Sequence, residues 1–233
     1  MLKPKLVSCA SCPARSRDLC SGLSDSQLPA FYAASTQLRL ARGHTLFAAE
    51  EPARFVFIIV SGTMKLYRMG PSGQRQVIGF LFVGDLFGLA AGENFGVTAE
   101  ASTETVLCRW DRSRFDDFLV LFPTMDRQYR LISSKVLARS IDLAYSLGQL
   151  TAEQRLASFL AYLHERQSPN GARTKAVILS MTRADIGDYL GLKVETVSRA
   201  LAQLKRKGII ALPSPDRAEI LDMSAVKKLA QGA

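Results

Sequence analysis

LSMTRADIGDYLGLKVETVSRALAQLKRKGII, residues 179–210, reads as a helix, a tight turn and a second helix. Thr182 stands just ahead of a helical period with Asp185 three residues on, so the two can cap each other's backbone N–H groups and the first helix starts at Arg183. Ile186 and Leu190 share one face, and Gly191 follows where the chain must turn sharply. From about Val194 the period resumes, with Val197, Ala200, Leu201 and Leu204 as the inward stripe and Glu195, Ser198, Arg199 and Ala202 on the opposite face. That outward face has the chemistry to read DNA. Arg199 can donate two bonds to guanine, Glu195 can accept from cytosine, and Ser198 can adapt to either or touch a thymine methyl. A solvated charged face on an ordinary helix pair is the plainer alternative. Against it, the basic Arg173, Lys175, Arg183, Lys193, Arg199, Lys205, Arg206 and Lys207 outnumber Asp185, Asp188 and Glu195 across this region, as a phosphate-binding surface requires.

The run MTRADIGDYLGLKVETVSRAL (181–201) resembles the recognition segment of the CRP/FNR transcription regulators. The Glu-x-x-Ser-Arg pattern at Glu195, Ser198 and Arg199 is similar to the FNR branch, FixK-like members included. The resemblance implies base reading by those three residues, with Thr182, Arg183, Lys193 and Thr196 completing the DNA-binding set.

The composition agrees with such a partner. A net charge of +9 over 233 residues favours a polyanion, nucleic acid or membrane surface, and the helix pair selects double-stranded DNA. No charged-then-apolar leader and no apolar run near the roughly 18 residues of a membrane span occurs, so a cytoplasmic protein is expected. In that compartment the four cysteines suit metal or redox chemistry better than disulfides.

Cys9, Cys12 and Cys20 form a C-x2-C-x7-C run in a polar segment that has little reason to order itself unless something binds it. Three thiols plus one from elsewhere would make a site for zinc or an iron-sulfur cluster; free cysteines on a loose tail are the other reading. Lys3, Lys5, Arg15 and Arg17 would offset the charge of such a site. Ser24–Ser35 reads as a short capped helix. From Gln37 to Trp110 short apolar runs alternate with turns at Gly43, Gly62, Gly73, Gly84 and Gly88, the pattern of an antiparallel roll. The glycine order, with Asp85 after Gly84, resembles the double-stranded β-roll of cyclic-nucleotide-binding and FNR sensor domains. Cyclic-nucleotide members hold the phosphate with an Arg-Ser or Arg-Thr pair; here Phe95 and Gly96 stand there, which counts against cyclic AMP and leaves another small effector open.

Cys108, in VLCRW, reads by itself as a small buried apolar residue in the roll's last strand. The resemblance implies another role, the fourth ligand of a 4Fe-4S cluster with Cys9, Cys12 and Cys20. The seven residues between Cys12 and Cys20 are more than in the best-studied FNR proteins and look like the FnrN and FixK-like branch, so oxygen sensitivity could differ.

Ser113–Phe122 reads as a short helix, and Pro123 opens a long one to about Leu150. Val136, Leu143 and Leu150 repeat every seven residues as a seam for a second copy, with Ile132 ahead of them and Arg139 and Ser146 interrupting. Leu137, Ile141 and Ala144 are expected to pack on the chain's own roll, and Asp142 flanks the seam. Thr151 with Gln154 caps the next helix, and Val177–Leu179, Ile209–Leu212 and Ala218–Leu221 are strands around the helix pair, with a wing tip at Pro213–Asp216.

The expected fold is α+β: an N-terminal antiparallel β-roll, a long dimerisation helix and a C-terminal winged helix-turn-helix. Its segments are 1–22 for cluster binding, 23–121 for the sensor roll, 122–150 for dimerisation and 151–233 for DNA. No phosphate loop, triad or paired carboxylate marks an enzyme. The expected function is an oxygen- or redox-responsive regulator, an activator by resemblance, whose cluster promotes homodimer binding to a two-fold FNR-box-like site. The turn Arg68–Arg75 resembles the surface offered to RNA polymerase. The rivals are the same fold sensing through zinc or thiol oxidation, and an iron-sulfur electron carrier.

Overall fold

The computed structural model describes residues 7–168 and 174–232. Lys3, Lys5, Arg173 and the middle of the loop after Gln167 lie outside the described residues. One compact unit holds the chain to Gln74 with Ile78–Ala138, the other Arg75–Val77 with Arg139 onward.

The first unit is built on eight strands: β1 (Thr36–Leu40), β2 (Thr45–Phe47), β3 (Phe55–Ser61), β4 (Met64–Met69), β5 (Arg75–Leu81, whose first three residues fall in the other unit), β6 (Leu86–Phe87), β7 (Thr98–Ala101) and β8 (Thr105–Asp111). They form two four-stranded sheets, ordered β1-β8-β3-β6 and β2-β7-β4-β5. The period of two decides what each face buries. Phe57, Ile59 and Leu107 of one sheet meet Phe47, Met64, Ala99 and Ala101 of the other in the roll interior. Their neighbours Val56, Ile58, Val60, Cys108 and Trp110 point the opposite way, into a second core with Leu19, Leu28, Phe31, Phe115 and Met125. Burial on both faces is why β3 reads FVFIIV without alternation.

That second core gives part of the 1–22 segment, expected to order only if something binds it, an apolar anchor on the roll. Ala14 and Leu19 are fully buried in it, and short 3-10 turns at Cys9–Ser11 and Asp18–Gly22 carry the cysteines. Ala14 and Leu19 suffice as anchors because both reach the same sheet face. The helix expected over Ser24–Ser35 is shorter: α1 covers Leu28–Ala33, with Pro29 in its first turn. Phe31 of α1 stacks on Trp110 at 4.4 Å, and the Trp110 indole donates to the Phe31 carbonyl at 2.8 Å. After α2 (Arg112–Leu121) comes the 27-residue α3 (Pro123–Gln149).

Burial along α3 differs in part from the expected division of its faces. Ile132, Ser146 and Leu150 are buried within this chain, Leu143 is half-buried, and Arg139 lies over the Tyr162 ring at 5.1 Å. Leu137 and Ile141, assigned to the chain's own roll, are 63% and 61% exposed. A heptad spacing identifies a stripe that is covered, not the molecule that covers it, and here the chain covers that stripe itself. Val136 is the one residue of the expected seam that stands exposed, at 51%.

In the second unit α4 (Ala152–Gln167) packs with α5 (Arg183–Leu190), α6 (Val194–Arg206) and α7 (Met223–Ala230) beside a sheet of β9 (Ala176–Ile178), β10 (Ile210–Ser214) and β11 (Arg217–Ile220), ordered β10-β11-β9. Leu156, Leu160 and Leu163 of α4 and Val197, Leu201 and Leu204 of α6 supply its buried side chains. No helix among the described residues is long and apolar enough to cross a membrane.

Candidate nucleic-acid interface and thiol pocket

The helix pair is held by local chemistry. Thr182 Oγ1 accepts from Asp185 N at 3.0 Å while Asp185 accepts from Thr182 N at 3.1 Å, closing the reciprocal cap that starts α5. Gly191 ends α5 at φ +63°, and a Cβ there would stand 3.3 Å from Leu147. Gly187, which the sequence reading passed over, matters as much: a Cβ on it would lie 2.6 Å from the Leu192 carbonyl, so the turn closes only against a bare α-carbon. An interior helix glycine was the available signal.

On α6, Glu195, Ser198 and Arg199 are exposed together on the face opposite the buried Val197, Ala200, Leu201 and Leu204. Thr196 is half-buried and accepts from Arg199 Nη2 at 3.3 Å, which steadies the guanidinium on this face. Lys193 is the exposed N-cap and provides no side-chain cap bond, so the first N–H groups of α6 remain available beside a cation. Arg183 is placed differently from the expectation: it is half-buried and donates to the Pro215 carbonyl at 2.9 Å, bracing the wing turn. Lys207 pairs with Glu153 at 2.6 Å, whereas Lys205 and Arg206 are exposed.

Arg155 is a second residue the sequence reading missed. Its guanidinium donates to the carbonyls of Leu147 and Leu150, both at 2.8 Å, and to that of Leu190 at 3.0 Å. One fork therefore satisfies orphan carbonyls at the C-terminal ends of both α3 and α5. Only long-range packing reveals this, because 35 residues separate Arg155 from Leu190.

The thiol pocket lies on the outer face of β3 and β8. Cys9, Cys12, Cys20 and Cys108 line one cavity whose walls include Phe31, Ile58, Val60 and Trp110. All four cysteines are free. Arg15 shapes the loop by donating to the Cys20 carbonyl at 2.8 Å and the Leu23 carbonyl at 2.9 Å, and it pairs with Asp25 at 3.2 Å. Asp18, at φ +39°, turns the chain back before Cys20 and so takes up the long spacing after Cys12. Burial pushes the Cys20 thiol up to about 12, with Cys12, Cys9 and Cys108 adding to the rise and Arg15 opposing it. Burial likewise raises Cys108 to about 11, against a lowering hydrogen bond from Gln37. Burial and the neighbouring Cys12 raise Cys9 as well, and four negative charges would not be stable there without a compensating cation. Among the described residues no three His, Cys, Asp or Glu side chains converge closely enough to cage one metal ion. The sulfurs are spread around the wall of a cavity.

Residues 154–229 match the Crp-like helix-turn-helix domain, and residues 37–120 match the cyclic nucleotide-binding domain. The chain is 31% identical over 212 residues to the nitrogen fixation regulation protein FixK of Bradyrhizobium diazoefficiens, covering 91% of this chain and 90% of that one. The protein belongs to the CRP/FNR family, in its FixK/FNR branch. This CRP/FNR regulator is also 34% identical over 175 residues to the fumarate and nitrate reduction regulatory protein of Salmonella typhi, 74% of this chain and 70% of that one. The solved structure of FixK2 from Bradyrhizobium japonicum superimposes with a TM-score of 0.77 at 30% identity, covering 84% of this chain and 96% of FixK2. Membership makes the CRP/FNR chain a DNA-binding transcription regulator and not an enzyme.

Proposed function

We propose that this regulator holds a 4Fe-4S cluster on Cys9, Cys12, Cys20 and Cys108 and that its DNA affinity follows cluster occupancy in anaerobic gene control. One observation carries the reading: three thiols from the N-terminal segment and a fourth from β8 line a single apolar cavity. The donor set suits the group, because thiolates are the ligands of such clusters and all four line one cavity. When bound, the cluster supplies oxygen-labile redox chemistry.

The rest is the work of the chain. The cysteine segment shares its core with Phe122 at the end of α2 and with Met125 and Ile132 of α3. Gly22 meets that helix so closely that a Cβ would lie 2.6 Å from the Gln128 side chain and 3.0 Å from the Thr124 carbonyl. Ordering the loop therefore bears directly on the start of α3. The other face of α3 carries Leu131, Leu137, Ile141 and Tyr145, all exposed, and this apolar stripe is the seam we assign to a homodimer. Two copies would present two α6 helices to a two-fold FNR-box-like site, with Glu195, Ser198 and Arg199 reading bases. Lys193, Thr182, Thr196, Lys205 and Arg206 would contact the backbone, with Arg183 acting through the wing. A cytoplasmic location follows from that partner.

Phe95 supports the exclusion of a cyclic nucleotide: it is buried in the roll interior and stacks on Phe47 at 3.7 Å, where the family's phosphate-binding pair is missing. The exposed Arg68 and Met69 keep the turn after β4 as the surface for RNA polymerase. Anaerobic purification tests the central reading. A brown protein containing iron and sulfide supports it, and a colourless zinc protein refutes it.

A further inference from the structure

Gln37 stands directly opposite Cys108 in the β1–β8 ladder, so both side chains lie on the outer sheet face. Its Nε2 donates to Cys108 Sγ at 3.7 Å and to the Val7 carbonyl at 2.9 Å. Its Oε1 accepts from the Val7 N–H at 3.2 Å. Both amide hydrogens and one oxygen lone pair are thereby used. The orientation is determined by chemistry: turning the amide over would set donor against donor at Val7 N–H and acceptor against acceptor at its carbonyl. The group that faces the sulfur is therefore N–H. Val7 lies two residues ahead of Cys9, so one side chain joins the strand that carries Cys108 to the backbone that carries the loop thiols.

We propose that Gln37 is the positioning residue of the thiol pocket, hydrogen-bonding the Cys108 sulfur while pinning the entry of the Cys9–Cys20 loop against β8. The inference rests on the four-thiolate centre proposed above. A hydrogen bond to a ligating sulfur withdraws electron density and raises the reduction potential, and outer-sphere partners of this kind typically change metal retention about 10- to 100-fold. A side chain that merely tethered the segment would alter stability without moving the potential.

The test uses the full chain, loaded anaerobically with iron and sulfide, as wild type, Gln37→Leu and Gln37→Glu. Cluster absorption, its rate of loss to an iron chelator and its reduction potential are read. Gln37→Leu loses all three hydrogen bonds and should shed the cluster at least about tenfold faster, at a lower potential. Gln37→Glu keeps an acceptor for Val7 N–H but turns oxygens toward the sulfur, so its potential should fall further. If Gln37→Leu holds no cluster, Gln37→Glu decides: a potential below wild type supports the role, and an unchanged one overturns it. Wild-type loss rates and potentials in both variants overturn the role of Gln37 and leave the cluster reading intact. A wild type that takes up zinc but no cluster ends both.

Discussion

Replacing Arg155 with leucine removes the fork that closes the ends of α3 and α5 while keeping most of the methylene packing. Three N–H···O=C bonds disappear, to Leu147, Leu150 and Leu190. Bonds from a charged donor are each worth about 1.5–3 kcal/mol, which would sum to roughly 5–9 kcal/mol if nothing replaced them. Arg155 is half-buried and the neighbouring Gly148 and Gly191 are exposed, so water recovers part of each carbonyl. The net cost should be about 2–4 kcal/mol. With a urea dependence near ~2 kcal/mol per M, the unfolding midpoint should fall by about 1–2 M at fixed protein concentration. Arg155→Lys, with one ammonium in place of the fork, should fall between the two. DNA binding should weaken in Arg155→Leu even under conditions that keep it folded, because Leu190 is the last residue before the turn that aims α6. A midpoint within about 0.3 M of wild type would refute the argument that this fork holds the two helix ends.

Arg199→Ala should cost about 1–3 kcal/mol at one base position of each half-site and leave affinity for unrelated DNA nearly unchanged, as measured by competition at fixed salt. Ile141→Glu places a charge in the proposed seam. Two-fold symmetry counts the loss twice, so about 3–6 kcal/mol and a rise of roughly 100-fold or more in the dimer dissociation constant are expected by sedimentation, whereas Leu150→Glu should unfold the chain instead. Cluster-free, reduced protein should lose stability in alkali. Cys20 and Cys108 hold their protons to about 12 and 11, above the ordinary thiol value of 9, so the unfolded chain releases protons first. Their contribution is complete below pH 9 and is lost as pH rises through 11–12. Urea midpoints at pH 8 and pH 10 should differ in wild type and differ less in Cys20→Ala/Cys108→Ala, where Cys9 and Tyr189, both raised by burial, still contribute.

What could be read from residues alone was what local rules settle. The Thr182–Asp185 and Thr151–Gln154 caps, the turn at Gly191 and the inward stripe of α6 depend on neighbours within one or two turns, and the structure has them where the spacing puts them. The roll was legible because short apolar runs recur between glycine turns, even where β3, buried on both faces, does not alternate. The faces of α3 were not legible, since Ile132 and Leu137 are equally apolar and only the rest of the fold decides which is covered. The order of the cysteine segment was hidden for the same reason: Ala14 and Leu19 look incidental until the outer face of β3 and β8 is placed beneath them. Arg155, Arg183 and Gln37 each act across thirty or more residues, a range no periodicity reports.

The most direct measurement compares one preparation before and after air on a two-fold operator at a single stated salt concentration. Anaerobically loaded protein should bind as a dimer, and the same sample stripped of iron and sulfide by oxygen should bind at least about tenfold more weakly. Equal affinity in the two states would contradict the coupling of the thiol pocket to DNA recognition.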